Sequence, residues 1–500
     1  SRAAFSDFNG TVEHELGAKD KLRLSGYFSK DSFQFDPDTV YSYSNQNYAL
    51  SWTHYFNDAL EATFSVGQDA YNFEVEGEDN PLNSYQYRFD IRQQFVKAQF
   101  RQEKGDRHLL SYGVHGIRYQ LNPGEILPFG PESGVISDQV APETAMDWSI
   151  YLGDEFEIND QWALSGGLRY NFYTYLGPQT LPVYAEGEPF LKENITSETR
   201  FQSGEPVQTY HGPEFRFSAR YALSNQSSLK AGVNSMRQNI HLLSNSSVIT
   251  PTDTWKLSDS FLKPQQGIQY ALGYFKNMNQ GAFEFSAELY YRSMQNLLDY
   301  RSGASIVLND RIEQEVLVTQ GKAYGMELYL KKSTGKLNGT LAYTYSRSLM
   351  QTDPSEQKEQ INRSEWYPSN FDQPHNANFV GNLELSKRVN VTLAGKYSTG
   401  RPVTLPIAKF NYGGSERVYF SDRNSFRVPD YFRMDLSVNL EGNHKIAKLA
   451  HASWSFGVYN LLGRDNAYSV YFVPEAGKLR GYQLAIFAEP IPFITYNFRF

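Results

Sequence analysis

Apolar and polar residues alternate with a period of two through most of the chain. Leu22, Leu24, Gly26 and Phe28 fall on one side of such a run, with Arg23, Ser25, Tyr27 and Ser29 on the other. Trp162, Leu164, Leu168, Tyr170 and Phe172 oppose Ser165, Arg169 and Asn171 in the same way. Phe283, Phe285, Ala287, Leu289 and Tyr291 oppose Glu284, Ser286, Glu288 and Arg292. Tyr324, Met326, Leu328 and Leu330 oppose Gly325, Glu327, Tyr329 and Lys331, and Phe432 to Leu440 repeats the pattern against Arg433, Asp435, Ser437 and Asn439. Successive side chains of a strand face opposite sides, so each run predicts a strand with one apolar and one polar face. Many runs reach about 12 residues, against a usual strand length of about 5–6. Strands that cross a membrane and continue past it explain that length better than the core of a compact domain.

The connections are sorted by length. Tight polar turns are predicted at Leu16-Gly-Ala-Lys-Asp20, Phe56-Asn-Asp-Ala59, Lys104-Gly-Asp106, Ile158-Asn-Asp-Gln161, Leu223-Ser-Asn-Gln226, Asn277-Met-Asn-Gln-Gly281, Ser333-Thr-Gly-Lys336, Ser386-Lys-Arg-Val389 and Glu441-Gly-Asn-His444. Between them lie longer connections, Leu121 to Val140, Gly177 to Thr209, His241 to Leu262, Met350 to Phe371 and Arg401 to Arg427. Alternation of short turns and long loops is the signature of a transmembrane antiparallel up-and-down β-barrel. A Greek-key sandwich has no reason to sort its connections this way. Counting between the turns gives about 19 strands.

Composition agrees with an all-β chain. Of 500 residues, 15% are aromatic, with 36 Tyr and 34 Phe against 7 Met. Such a balance favours strands over helices. Length would allow about three globular domains, but no linker or shift in composition divides the chain, so residues 1–500 read as one barrel portion. Mean hydropathy is -0.54, and no apolar run is long enough for a spanning helix; barrel strands cross without one. A net charge of -8 without Lys/Arg clusters excludes nucleic acid as a partner.

The last strand gives direction. Ile494, Tyr496, Phe498 and Phe500 alternate with Thr495, Asn497 and Arg499. This end resembles the closing strand of bacterial outer-membrane barrels, which makes Tyr496, Phe498 and Phe500 the expected signal for the barrel assembly machinery. Bacterial single-chain barrels have even strand counts, and this strand should run inward to the periplasm. Tracing back, the first strand near Phe5 to Leu16 would also run inward. An odd number of strands, about three for a 22-stranded barrel, is therefore expected before Ser1.

Several stretches resemble TonB-dependent outer-membrane receptors of the Bacteroidetes type: Gly321-Lys-Ala-Tyr-Gly-Met-Glu-Leu328, Ser398-Thr-Gly-Arg-Pro-Val-Thr-Leu-Pro406, Asn424 to Leu436, Phe456 to Tyr471, and the tail from Tyr482. They cover roughly the C-terminal third. The resemblance implies a barrel of ~22 strands, an N-terminal plug, long loops outside the cell, and import driven by the TonB complex. A plug and TonB-contacting segment are not recognisable within these residues, so TonB contact through them is expected upstream.

No catalytic constellation is present: there is no His-Glu-x-x-His, no Gly-x-Ser-x-Gly and no P-loop, and Cys is 0. The chain is not read as an enzyme, and no cofactor is expected. The 9 His are scattered. Arg23, Arg169, Glu284, Glu288, Arg292, Glu327, Arg433 and Asp435 suit the wet interior of a wide barrel, and Trp162 and Trp454 suit interfacial girdles. Trp255 and Trp366 fall in long connections; with Arg363, Tyr367 and His375 they are the candidate external ligand contacts. The acidic stretch bearing Glu186, Glu188, Glu193, Glu198 and Glu205 reads as a solvated loop before a Ca²⁺ site.

The expected function is energised uptake of a scarce ligand: siderophore, haem, cobalamin, oligosaccharide or peptide. Outer-membrane lipid, TonB and the assembly machinery are the expected partners, with a surface lipoprotein or other envelope subunits as further ones. The alternative is a non-transporting structural subunit of an outer-membrane assembly. A barrel enzyme would need Ser, His and Asp to converge on one rim.

Overall fold

The computed structural model describes residues 2–34, 38–243, 254–353, 359–413, 415–442, 451–475, 478–485 and 488–499. Nineteen long strands form one antiparallel sheet. They are β1 (Arg2–Glu15), β2 (Asp20–Gln34), β3 (Thr39–Asn57), β4 (Leu60–Gly77), β5 (Tyr85–Lys104), β6 (His108–Pro128), β7 (Glu143–Glu157), β8 (Trp162–Leu176), β9 (Pro206–Ser224) and β10 (Ser227–Gln238). The second half is β11 (Gln265–Met278), β12 (Phe283–Tyr300), β13 (Val316–Lys332), β14 (Leu337–Thr352), β15 (His375–Ser386), β16 (Val389–Ser398), β17 (Tyr431–Glu441), β18 (His451–Tyr459) and β19 (Ile491–Arg499). The two-residue bridges Asp138–Gln139 and Tyr367–Pro368 join the same sheet.

Every strand pairs with the next in sequence, which is the up-and-down meander expected of a barrel wall. Among the described residues β1 and β19 are each paired on one side. Most connections after odd strands are short (16–19, 58–59, 105–107, 158–161, 225–226, 279–282, 333–336, 387–388). After even strands they are still short at 35–38 and 78–84, and from β6 onward they lengthen to 129–142, 177–205, 239–264, 301–315, 353–374, 399–430 and 460–490. The loops 301–315 and 460–490 were not expected. The first carries Ile306 and Ile312, both buried like strand residues, and the second contains its own hairpin, Ala467–Glu475 with Lys478–Ala485. The start of the expected loop at Leu121 is strand, because β6 runs on to Pro128. Phe500 and most of the turn after Glu441 lie outside the described residues.

Register separates the two faces. Leu24, Leu50, Val66, Val96, Gly116, Trp148 and Phe172 are directly opposite one another in successive strands, in one outward row. Leu24 is 54% exposed and Val66 51%. Water against such side chains would forgo about 1.5–3 kcal/mol each. A continuous band of them requires hydrocarbon as the surrounding medium. No helix among the described residues is long and apolar enough to cross a membrane.

The other face is polar and largely paired. Glu13 takes Lys21 at 2.6 Å and Arg23 at 2.9 Å, Glu284 takes Lys331 at 3.0 Å, and Asp435 takes Arg433 at 2.7 Å. Arg292 donates to Gln269 at 3.0 Å. The contrast is testable on adjacent residues. Leu289 faces outward and is 53% exposed, so Leu289→Arg should cost about 2–4 kcal/mol near the bilayer midplane. Glu288→Arg, facing the lumen opposite Glu327, should cost little. Folded yield read from heat-modifiable gel mobility should fall only for the first; equal yields would refute the assignment of faces.

Candidate functional site

Above the apolar band the inward face changes character. Phe73 and Val75 on β4, Tyr87, Phe89 and Ile91 on β5, Leu121 on β6, Ala145 on β7, and Tyr173 and Tyr175 on β8 are all buried. Inward residues of a wide barrel should meet water, so something covers them. The cover is the described part of the connection 239–264, whose segments Ile240–Leu243 and Thr254–Leu257 pair as a hairpin. It is folded inward against the wall. Leu257 completes one cluster with Ile91, Leu121, Ala145, Tyr173 and Tyr175. Trp255 packs against that cluster and against Phe73, Val75, Tyr87 and Phe89.

Polar latches hold the hairpin in register. Glu143 ion-pairs with Lys256 and accepts the Leu257 N–H at 2.8 Å. Asp259 pairs with Lys256 at 2.9 Å and accepts from the Phe261 and Leu262 N–H groups. Tyr173 donates its hydroxyl to the Ser258 carbonyl at 2.8 Å, and Tyr210 to the Asp259 carbonyl at 2.7 Å. Asn239 donates to Asp147 at 2.8 Å. Burial opposes the charge of Lys256, but the Asp259 and Glu143 carboxylates outweigh it and hold its pKa well above the usual lysine range.

His241 lies fully buried in this hairpin, 2.9 Å from the Ser258 hydroxyl and 3.1 Å from the Gln265 amide. Burial pushes its pKa down to about 4. The docked imidazole is neutral, whereas a released one protonates near ~6.5. The undocked state therefore binds the extra proton, and docking weakens as pH falls from 6.5 to about 4, by up to about 3 kcal/mol. Burial raises the pKa of Glu313 in the neighbouring loop, which acts in the opposite sense. Protease access to 239–264 is expected to rise on acidification through that window, and His241→Gln should flatten the response; an unchanged profile would exclude His241 as its source.

Beside the hairpin is an open cavity of about 530 Å³, bordered by loops 129–142, 177–205 and 301–315 and lined among others by Tyr175, Arg200, Phe201, Lys256, Phe261 and Arg311. Arg311 pairs across the loops with Glu198 at 2.8 Å, and Tyr184 donates to Glu313 at 2.7 Å. A second cavity of about 610 Å³ lies against the inner wall of β5 to β10, lined by Lys97, His115, Asp147, Arg169, Glu214 and Arg216.

Two further latches pin the later loops. Asp299 on β12 takes Arg423 and the Tyr367 hydroxyl, both at 2.6 Å, while Arg423 also donates to the Tyr300 carbonyl at 2.7 Å. Asp372, fully buried, takes Arg347 at 3.1 Å, the Ser348 N–H at 2.7 Å, and Arg427. Gly400 permits the last approach, since a Cβ there would sit 1.7 Å from the Val428 carbonyl oxygen.

The sequence candidates divide accordingly. Trp255 packs between the two apolar clusters of the inward hairpin. Tyr367 is 2% exposed and held by Asp299. Trp366, next to it, is 38% exposed with Lys322 Nζ 3.8 Å from its ring centre. Arg363 is exposed, 3.7 Å from Asp422. His375 is elsewhere, paired with Tyr345 on the outward face and bonded to the Tyr343 hydroxyl at 2.9 Å. The loop 353–374 thus brings together Arg363, Trp366 and Tyr367, but neither Trp255 nor His375. The latch residues Glu143, Lys256, Asp259, Asp299, Asp372 and Arg423 were missed. Asn424 and Arg427 lie in a stretch that carried the family resemblance: Asn424 donates to the Pro368 carbonyl and Arg427 to Asp372. Among the described residues no group of three or more His, Asp and Glu could hold a metal ion.

A family model, TonB dependent receptor-like, beta-barrel, matches residues 3–461. The chain belongs to that family. The receptor barrel is accordingly an integral protein of the bacterial outer membrane, in a family of receptors and transporters rather than enzymes. Among solved structures it is similar to the ferric yersiniabactin uptake receptor FyuA of Yersinia pestis, with TM-score 0.66 and 13% identity over 100% of this chain and 71% of that one. The ferric-catecholate import receptor Fiu of E. coli K12 gives TM-score 0.64 and 13% identity over 99% and 74%. The copper transporter OprC gives 0.64 and 12% over 93% and 67%. Comparison with curated proteins found no match. These matches place the receptor barrel in the family without assigning it to the Bacteroidetes form.

Proposed function

We propose that the receptor barrel serves energised uptake of a scarce small ligand captured by its external loops. The carrying observation is the loop-built cavity of about 530 Å³ beside the inward hairpin, within the ~300–1,000 Å³ range of small-molecule sites. Its walls mix aromatic rings with charged groups, among them Lys256, Asp259, Arg311 and Glu313 already held by partners, which suits a bulky, partly polar ligand. Siderophore, haem, cobalamin, oligosaccharide and peptide remain the ligand classes. Relatives named for ferric chelates and copper make an iron chelate the first to test. On this reading Trp366 and Arg363 are external contacts of the neighbouring loop.

The reading includes a plug and a TonB-contacting segment belonging to the same protein, and strands between β1 and β19. Its support is that matched receptors are longer than this chain, which covers 74% of Fiu and 71% of FyuA. A deletion strain grown on single iron, vitamin and glycan sources should lose growth on one of them at limiting concentration. Unimpaired growth on every source would overturn uptake in favour of a structural envelope subunit.

A further inference from the structure

The two cavities lie at different depths of one inward face. Along β7, Glu143 lines the loop-built cavity of about 530 Å³, Asp147 lines the wall cavity of about 610 Å³, and Ala145 lies between them. Along β8, Tyr175 lines the first and Asn171 the second, with Tyr173 between them. Ala145 and Tyr173 are fully buried and line neither cavity. The hairpin residue Leu257, also fully buried, packs with both of them and Leu121 in one cluster. The inward face is thus open, closed and open again from Glu143 to Asp147. The hairpin divides in the same way. Lys256 and Asp259 line the outer cavity, and Asn239, bonded to Asp147 at 2.8 Å, lines the inner one. An ion network on one side and a hydrogen bond on the other clamp the apolar seam between them.

We propose that the described arms of the hairpin, Ile240–Leu243 and Thr254–Leu257, form an inner gate between the loop-built cavity and the wall cavity. A polar solute crossing the docked seam would lose its water without gaining partners, which costs several kcal/mol for each group. Passage inward therefore waits for the hairpin to leave the wall. The docked and released hairpins are two states of one equilibrium, and the latch sets how often the second is visited. The inference rests on the uptake reading above and adds a step to it: capture by the loops and passage to the wall cavity are separate events, and the Lys256 network governs the second.

The test uses the whole protein in intact cells and a maleimide reagent that cannot cross the outer membrane. These 500 residues contain no Cys, and wild type measures the background. K97C reports on the wall cavity, and T180C, at an exposed position, on the loop-built one. T180C should label fast and K97C slowly. Adding K256M should speed labelling at position 97 by roughly a hundredfold and leave position 180 unchanged. Should K256M fail to assemble, L257S breaks the seam with the ion network intact and makes the same test. Equal labelling of K97C and T180C without either change, or no acceleration with it, would overturn the gate. A second arm asks whether the gate lies on the ligand's path. A145C/L257C, bridged by a short cleavable thiol cross-linker, should block uptake of whichever source the deletion strain fails to use, and cleavage of the linker should restore it. Full uptake with the bridge in place would overturn the gate and leave the uptake reading standing. A deletion strain without a defect would overturn that reading, while labelling still decides whether the hairpin separates the cavities.

Discussion

Replacing Lys256 by methionine is expected to free the 239–264 hairpin from the inner wall while the barrel stays folded. The Lys256 side chain is 14% exposed, and Glu143 and Asp259 are each 3% exposed. Taking away the cation leaves two carboxylates facing each other out of water. Removing one partner of a buried pair costs about 3–5 kcal/mol. Neither carboxylate can swing away cheaply, because Glu143 also accepts the Leu257 N–H and Asp259 those of Phe261 and Leu262. A loss of about 3 kcal/mol multiplies the undocked fraction by roughly a hundred. Protease cleavage within 239–264 should accelerate by about that factor, with heat-modifiable gel mobility retained. Tyr173→Phe is the comparison: it removes one hydroxyl donated to the Ser258 carbonyl and should cost about 1 kcal/mol. If K256M is cleaved no faster than Y173F, the ion network is not what holds the hairpin.

The wall was legible because its rule is local. A strand in lipid needs apolar residues at every second position and tight polar turns at one end, and Leu22 to Phe28 or Phe432 to Leu440 declare both without reference to any other strand. The strand count followed from the turns. Loop architecture was not legible, because nothing local distinguishes Trp255, half-buried between two clusters, from Trp366 at a surface. That difference depends on Tyr173 and Tyr175, some eighty residues earlier, facing the hairpin. Ile306 and Ile312 likewise look like strand residues, since a loop core demands the same side chains as a sheet. The latches are hidden for a further reason: Glu143, Asp299 and Asp372 read as solvated charges until their arginine and lysine partners are brought beside them. One signal was available. The stretch Asn424 to Leu436 carried family resemblance, and its first part, 424–430, lies in a connection, where solvated chain has little cause to resemble anything; its Asn424 and Arg427 hold the loop 353–374 in place.

Asp372→Ala should have the largest effect on the outer loops, because one side chain joins three segments. Its carboxylate accepts the Ser348 N–H and Arg347 from β14 and Arg427 from the loop 399–430, and it is itself part of the loop 353–374. Alanine would strand two guanidiniums and a backbone donor, for about 3–5 kcal/mol. Loops 353–374 and 399–430 should loosen together, although they are separated by β15 and β16. Hydrogen exchange at 363–372 and 401–412 should rise by roughly a hundredfold or more, with β12 to β14 below them unchanged. Asp372→Asn keeps the shape and an acceptor for Ser348 but loses the charge, so an intermediate effect is expected. Arg363→Ala is the contrast within the same loop. Its guanidinium is 80% exposed and 3.7 Å from Asp422, a surface pair of under ~1 kcal/mol, so exchange should hardly change. The two variants then separate the roles of the loop. D372A should abolish ligand capture by disordering the loops, and R363A should weaken capture with the loops intact if Arg363 touches the ligand. Loosening of only one loop in D372A would refute Asp372 as their common anchor.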